Sequence, residues 1–402
     1  MNKKLKVNID NFMFKIIFFL IFIKLIFSYL LVELSYFQRH LMPNDEQYNL
    51  LGLPSNFSTI LEYVIIPLLV IFIIRNIRFF KRGKILFQIS FVLYFLNIVT
   101  GLLNGISVAN SINYSLKFFA PIYLFLALVI EYNKSGFDLK KNMINFIKVC
   151  FLLLIIGLLF FDSSFNRGGF YLPIYFSGNH THSYILVCCC IGINYLLFRK
   201  GFKKWMIAFI IVSFSFLLVG YNIRTSLLLY LFYIIVMLYL CNNMFKYLIV
   251  KGIIVLSPLL ILTLFITLKG DLDYFTSGRL SMYGEKIDQL SSNGLLEWIF
   301  GSGFGSDLIL IDTWWWEKKG AHSDLITYLV ENGIVYLAWL LFVIFLLFIL
   351  MGKIHMIYCS LIFGYLITGI ISNGLPSRPL SAYMFFIVLS FIYTDVVSYS
   401  KK

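Results

Sequence analysis

Residues 335–351 read VYLAWLLFVIFLLFILM, and no charged side chain falls between Glu331 and Lys353. A helix needs about 20 apolar residues to cross about 30 Å of hydrocarbon, and one that is apolar on every face cannot sit at a water-facing surface. The stretch therefore predicts a membrane-spanning helix. Comparable runs recur near 12–36, 60–80, 85–103, 112–132, 143–161, 183–198, 206–222, 225–241, 248–268, 354–373 and 380–397. The expected fold is all-α: a single polytopic membrane domain over residues 1–402 with about twelve transmembrane helices.

Composition agrees. Only 13% of the 402 residues are charged and 60% are hydrophobic, where a soluble domain is about 25% charged, so the chain cannot cover itself with polar surface. A net charge of +14 would suggest nucleic acid in a soluble protein. No contiguous polar domain exists to carry such a patch, so nucleic acid is excluded and the lipid bilayer is the expected surrounding. The first run carries Lys15 and Lys24 and lacks a small-residue cleavage site, which reads as a retained span. Lys24 and Lys117 fall within spans, where a charge is costly, so each is expected to face a wet or protein-lined space, or, for Lys117, to snorkel to the nearby outer end. The six cysteines sit in or at the end of apolar runs without metal-ligand spacing and read as small apolar filler.

Lysine and arginine in the short connections orient the chain. With the amino terminus cytoplasmic, about 21 cations fall in the inner connections and about nine in the outer ones, and the alternation never breaks. Both termini are thus expected in the cytoplasm. Residues 269–323, between the ninth and tenth spans, form one long outer loop with five Lys+Arg against eight Asp+Glu. Within it Leu280, Tyr283, Ile287 and Leu290 recur at helical spacing behind Thr276 and Ser277, predicting a short amphipathic helix with these four on its apolar face.

Several outer residues could carry chemistry. Arg224 stands in a tight turn at the depth of lipid phosphates, where it either snorkels to headgroups or binds an anion. Thr225 and Ser226 are expected to cap the helix that follows. Arg279, by position alone, reads as a solvated cation. Gly301-Ser302-Gly303-Phe304-Gly305-Ser306 lacks the lysine of a nucleotide loop and reads as a turn that lets backbone approach backbone, or backbone N–H approach a diphosphate. His322 precedes a helix expected to stop at Asn332-Gly333; it is either a polar capping residue or a general base. Trp314, Trp315 and Trp316 read as an interfacial anchor or a stacking surface for sugar rings. His180 and His182 alternate in another outer loop without further metal ligands in spacing, so no metal site is expected.

Four segments taken together resemble the O-antigen polymerase/ligase superfamily, the Wzy-type membrane proteins that join lipid-linked oligosaccharides. They are Ile223-Arg224-Thr225-Ser226-Leu227-Leu228, Ser277-Gly278-Arg279-Leu280, the run from Trp298 to Gly305, and His322-Ser323-Asp324 leading to Tyr328 through Ile334. They occur in the family's order, around a long outer loop where the family has one. The chain departs from it at Gly178-Asn179-His180-Thr181, where the family often has Gly-Asn-Pro-Asn.

The resemblance implies a metal-independent, cofactor-free glycosyltransferase of the bacterial cytoplasmic membrane. It would act on undecaprenyl-diphosphate-linked oligosaccharide at the outer face, with a flippase and a chain-length regulator as partners. Arg224 and Arg279 would hold the diphosphate, and His322 would activate or orient the acceptor hydroxyl. A ligase with another acceptor, or a polysaccharide transporter or flippase, are the alternatives.

Overall fold

The structure, a computed structural model, describes residues 3–33, 47–49, 57–135, 139–162, 172–176, 178–221, 223–241, 279–311, 314–350 and 355–400. It is a helical bundle. Its first part comprises α1 (Lys3–Tyr29), α2 (Phe57–Asn76), α3 (Lys81–Leu103), α4 (Val108–Ser135), α5 (Leu139–Phe160), α6 (Asn179–Arg199), α7 (Lys203–Phe216) and α8 (Arg224–Cys241). After these come α9 (Arg279–Ser292), α10 (Leu295–Phe300), α11 (Asp324–Ile349), α12 (Met356–Ile371) and α13 (Pro379–Ser400). Among the described residues nine helices are long and apolar enough to cross a membrane, which makes this a multi-pass membrane protein; α12 is a further, shorter apolar helix. Eleven of the twelve apolar runs coincide with helices; the ninth, 248–268, lies outside the described residues.

Large apolar side chains on the outside of the bundle fit a lipid solvent. Phe160 is 78% exposed, Leu159 73% and Val212 68%, a surface that water would not tolerate at this density. α13 and α6 are instead central, with 89% and 78% of their apolar windows buried. Cys188, Cys189 and Cys190 fill the middle of α6 as small buried groups.

The structure corrects the sequence reading in several places. The all-α expectation holds for the bundle, and two short antiparallel pairs accompany it: Leu31–Glu33 (β1) with Gln47–Asn49 (β2), and Ile309–Ile311 (β3) with Trp314–Lys319 (β4). β4 contains the three tryptophans, residues with high strand propensity. The first helix ends at Tyr29 rather than near 36, because the chain turns into β1. His180 and His182 belong to the first turn of α6 rather than to a loop. Thr225 and Ser226 do not cap α8, which already begins at Arg224; Ser226 Oγ donates back to the Ile223 carbonyl at 3.0 Å. The long 269–323 segment holds two helices and a hairpin rather than one helix, and 269–278 lies outside the described residues.

Helix α9 also turns a different face inward. Met282, Lys286 and Leu290 are buried, whereas Ile287 is 64% exposed. The reason is electrostatic: Lys286 reaches Asp307, with Nζ 3.0 Å from Oδ1 and donating to the Asp307 carbonyl, and this pair fixes the helix's rotation.

Contacts between helix ends define the two poles of the bundle. At the basic pole Asp10 pairs with Arg75 at 2.8 Å and Lys134 at 3.6 Å, joining the ends of α1, α2 and α4. Asp395 there pairs with Lys140 and Arg199 and accepts from Tyr195 at 3.0 Å, joining α5, α6 and α13. At the opposite, loop pole Thr100 donates to the Phe300 carbonyl at 2.7 Å, and Ser381 to the Thr181 carbonyl at 3.2 Å.

Candidate functional site

At the loop pole the start of α11 is sewn to the α12–α13 connection. The Asp324 carboxylate, 3% exposed, accepts from the Gly374 N–H at 2.9 Å, and Ser323 Oγ donates to the Ile370 carbonyl at 2.7 Å. This anchor places Arg378, whose Nε donates to the Asn373 carbonyl at 3.1 Å and whose guanidinium lies within electrostatic reach of Asp324 and Tyr184. Burial lowers the pKa of Arg378 while these two neighbours oppose the change; with so high a starting value it stays a cation. Tyr184, fully buried in the second turn of α6, places its hydroxyl beside those of Thr225 and Thr368. The Tyr184 hydroxyl interacts with those of Thr225 and Thr368, so the three form one buried polar spot.

Two sequence candidates neighbour this cluster along the chain. Arg224 is exposed at the start of α8, adjacent to Thr225. His322 is half-buried two residues before Asp324 and has φ of 51°, the left-handed region that a side chain with a Cβ enters at a cost of about 1–2 kcal/mol. Its neighbours impose that conformation: the Ala321 N–H donates to Asp307 at 2.9 Å, and Ser323 is bound to α12. α11 then starts with Ser323 as N-cap, so His322 lies just outside the positive end of a helix dipole. Arg279 opens α9, and its side chain lies outside the described residues, as do those of Trp314, Trp315 and Trp316 on β4 and of Lys117 on α4.

The glycine run is a backbone-to-backbone contact. Gly301, Gly303 and Gly305 all have positive φ, and the Ser302 and Gly303 N–H groups donate to the carbonyls of Val330 and Glu331 at 2.9 and 3.0 Å. Opposite them Gly333 interrupts α11 with φ 77° and ψ 176°, at the stop expected from Asn332-Gly333. A Cβ on Gly301 would strike the Glu331 backbone, and one on Gly333 the Ile299 carbonyl. The Gly305 N–H donates to Glu331 Oε1 at 2.8 Å, so three of the run's N–H groups serve α11 rather than an anion.

Sequence reasoning passed over Arg378, Lys286 and Asp307. Arg378 occupies a short connection between two apolar runs, the same context that drew attention to Arg224, and that signal was available. Lys286 offered none, because its partner is 21 positions away. Burial lowers its pKa, with Asp307 pulling the other way. Asp307 Oδ2 also accepts from Thr327 Oγ1 at 2.7 Å, so this one carboxylate holds α9, the hairpin and α11 together.

Elsewhere in the loop half of the bundle His182 is fully buried between the rings of Tyr175 and Tyr221, at 4.2 and 4.5 Å between centroids. Lys24, buried in α1, pairs with Glu62 of α2 and donates to the Ser58 carbonyl at 3.2 Å, a protein-lined setting as its position required. No protein-family model matches the chain, and no curated protein sequence matches it.

Proposed function

We propose that the chain is a membrane glycosyltransferase that polymerises oligosaccharide units carried on undecaprenyl diphosphate. In this reading the basic pole faces the cytoplasm of a bacterial cell and the loop pole faces outward. Lysine-rich connections support that orientation. The observation that carries the proposal is the grouping at the loop pole of Arg378, Asp324 and the buried hydroxyls of Tyr184, Thr225 and Thr368, with Arg224 next to Thr225 and His322 two residues before Asp324 along the chain.

Such a site suits transfer from a diphosphate. The acceptor hydroxyl attacks the anomeric carbon of the donor sugar, a new C–O bond forms as the bond to the diphosphate oxygen breaks, and the hydroxyl proton passes to His322. Polyprenyl diphosphate leaves with its developing charge balanced by Arg224 and Arg279. His322 needs its neutral form for this, which the adjoining helix amino end favours. Trp314, Trp315 and Trp316 are the residues assigned to sugar contact in this reading. A flippase that delivers the lipid-linked unit and a regulator of chain length complete the expected surroundings.

The test uses purified protein and a lipid-diphosphate oligosaccharide alone. A ladder of products is expected, and Arg224→Ala, Arg279→Ala and His322→Ala should each lower its rate by about a hundredfold or more, the usual cost of one charge-stabilising contact. Product formed only with a second acceptor would make the protein a ligase. Lipid crossing the bilayer without any new glycosidic bond would make it a flippase. Full activity in all three variants would remove the proposed site.

A further inference from the structure

The glycine run fixes the height of α10 in the bundle. Counted back from Leu350, whose carbonyl accepts from Arg82 at the basic pole, the about 20 residues that cross about 30 Å of hydrocarbon reach Glu331. Counted along α3 from Lys84, the last cation near its start, the same length reaches Asn104. The two helices therefore meet the loop-pole edge of the hydrocarbon at Glu331 and Asn104, and both are bonded to the end of α10. Asn104 Nδ2 donates to the Gly301 carbonyl at 3.2 Å, and the Gly303 N–H to that of Glu331. Helix α9 rides higher: its Lys286 is held by Asp307, which also accepts from Thr327, about 9 Å along α11 from Gly333 toward the pole.

At this depth α10 is apolar over most of its circumference. Successive helical residues are about 100° apart, so Leu295, Leu296, Trp298, Ile299 and Phe300 cover an arc of about 200° and leave Glu297 outside it. The Glu297 carboxylate turns back to accept from the Gly294 N–H at 2.8 Å. Ile299 and Phe300 are half-buried, whereas Leu295 is 78% exposed and Leu296 66%, with Trp298 exposed beside them. Those values match Leu159 and Phe160 on the lipid-facing surface of the bundle. The spans to which α10 is bonded carry exposed apolar residues at the same level: Leu102 and Leu103 end α3 next to Asn104, and Ile334 and Val335 follow the break in α11. An exposed apolar face at that height, with a tryptophan on it, suits the boundary between headgroups and acyl chains rather than water.

We propose that α10 is an interfacial anchor that seats residues 279–311 in the phospholipid leaflet at the loop pole. Leu295 and Leu296 enter the upper acyl-chain region, Trp298 lies at the headgroup boundary, and Glu297 stays on the water side. Asp307 ties this segment to the Ala321 N–H, immediately before His322, so the anchor also sets the height of that stretch above the leaflet.

The test attaches an environment-sensitive nitrobenzoxadiazole label to Leu295→Cys, Leu296→Cys and Asp288→Cys in turn, in the full chain reconstituted into phosphatidylcholine vesicles. Asp288 is exposed on α9 and serves as the water-side reference. The unsubstituted chain, whose six cysteines are buried or half-buried, sets the labelling background. Labels on α10 should emit to the blue of the label on α9. They should lose intensity to phosphatidylcholine brominated high on its acyl chains and keep it against iodide present on both sides of the membrane, and the α9 label should do the reverse. An equal response of the three labels to either quencher overturns the proposal. Protection of the α10 labels from both quenchers overturns it as well, by placing protein, such as a second copy of the chain, over the helix. None of these readouts depends on glycosyl transfer.

Discussion

The two poles of the bundle are closed by different means. At the basic pole, buried carboxylates of Asp10 and Asp395 each collect two cations from other helices, so charge neutralises charge within the protein. At the loop pole an ion pair, Lys286–Asp307, is joined by closures that use backbone: Asp324 on the Gly374 N–H, Glu331 on the Gly305 N–H, the glycine run on the break in α11. A pole that pairs its own charges is a structural clamp. A pole that spends several carboxylates on backbone N–H groups is held by geometry as well as charge, and the site is sought there, beside Arg378 and Asp324.

This contrast can be broken experimentally. The largest effect is expected from Lys24→Met, which strands the buried Glu62 carboxylate in the loop half and should lower stability by about 3–5 kcal/mol. Adding Glu62→Leu should recover most of it in thermal unfolding; no recovery would mean that the pair has a role beyond mutual neutralisation. Gly333→Ala should come next. It forces a side chain into a backbone region that is essentially glycine-only, at about 1–3 kcal/mol before the collision with Ile299. Limited proteolysis of the 279–323 segment should accelerate while the bundle stays folded; unchanged proteolysis would refute the docking of the glycine run. Asp395→Asn should cost less, about 2 kcal/mol, because Lys140 and Arg199 are partly exposed and can turn to water. It should leave any activity at the loop pole intact once protein levels are matched, and a selective loss of that activity would contradict the division of labour.

Hydrophobic runs made the helices legible in the sequence because membrane insertion reads the same local property. The stop at Gly333 was legible for a similarly local reason, since glycine alone tolerates its φ and ψ. The phase of α9 was not legible. Periodicity assigned Ile287 to the buried face, but burial of Lys286 depends on Asp307, a partner that no window of a few residues contains. The cluster around Tyr184 was equally hidden, being assembled from five separated segments. Arg224 and His322 could be picked out singly, and the approach of their neighbours Thr225 and Asp324 to Tyr184 belongs to the tertiary structure.

The central place of α13 has a consequence for biosynthesis. The most buried of the candidate spans is also the last of them to emerge from the ribosome, and its Asp395 and Ser381 complete contacts with α5 and α6. At 5–20 residues per second, α6 waits roughly 10–40 s for that partner. During this interval the polar groups of α5 and α6 that α13 will cover lie open to lipid or to neighbouring insertion machinery.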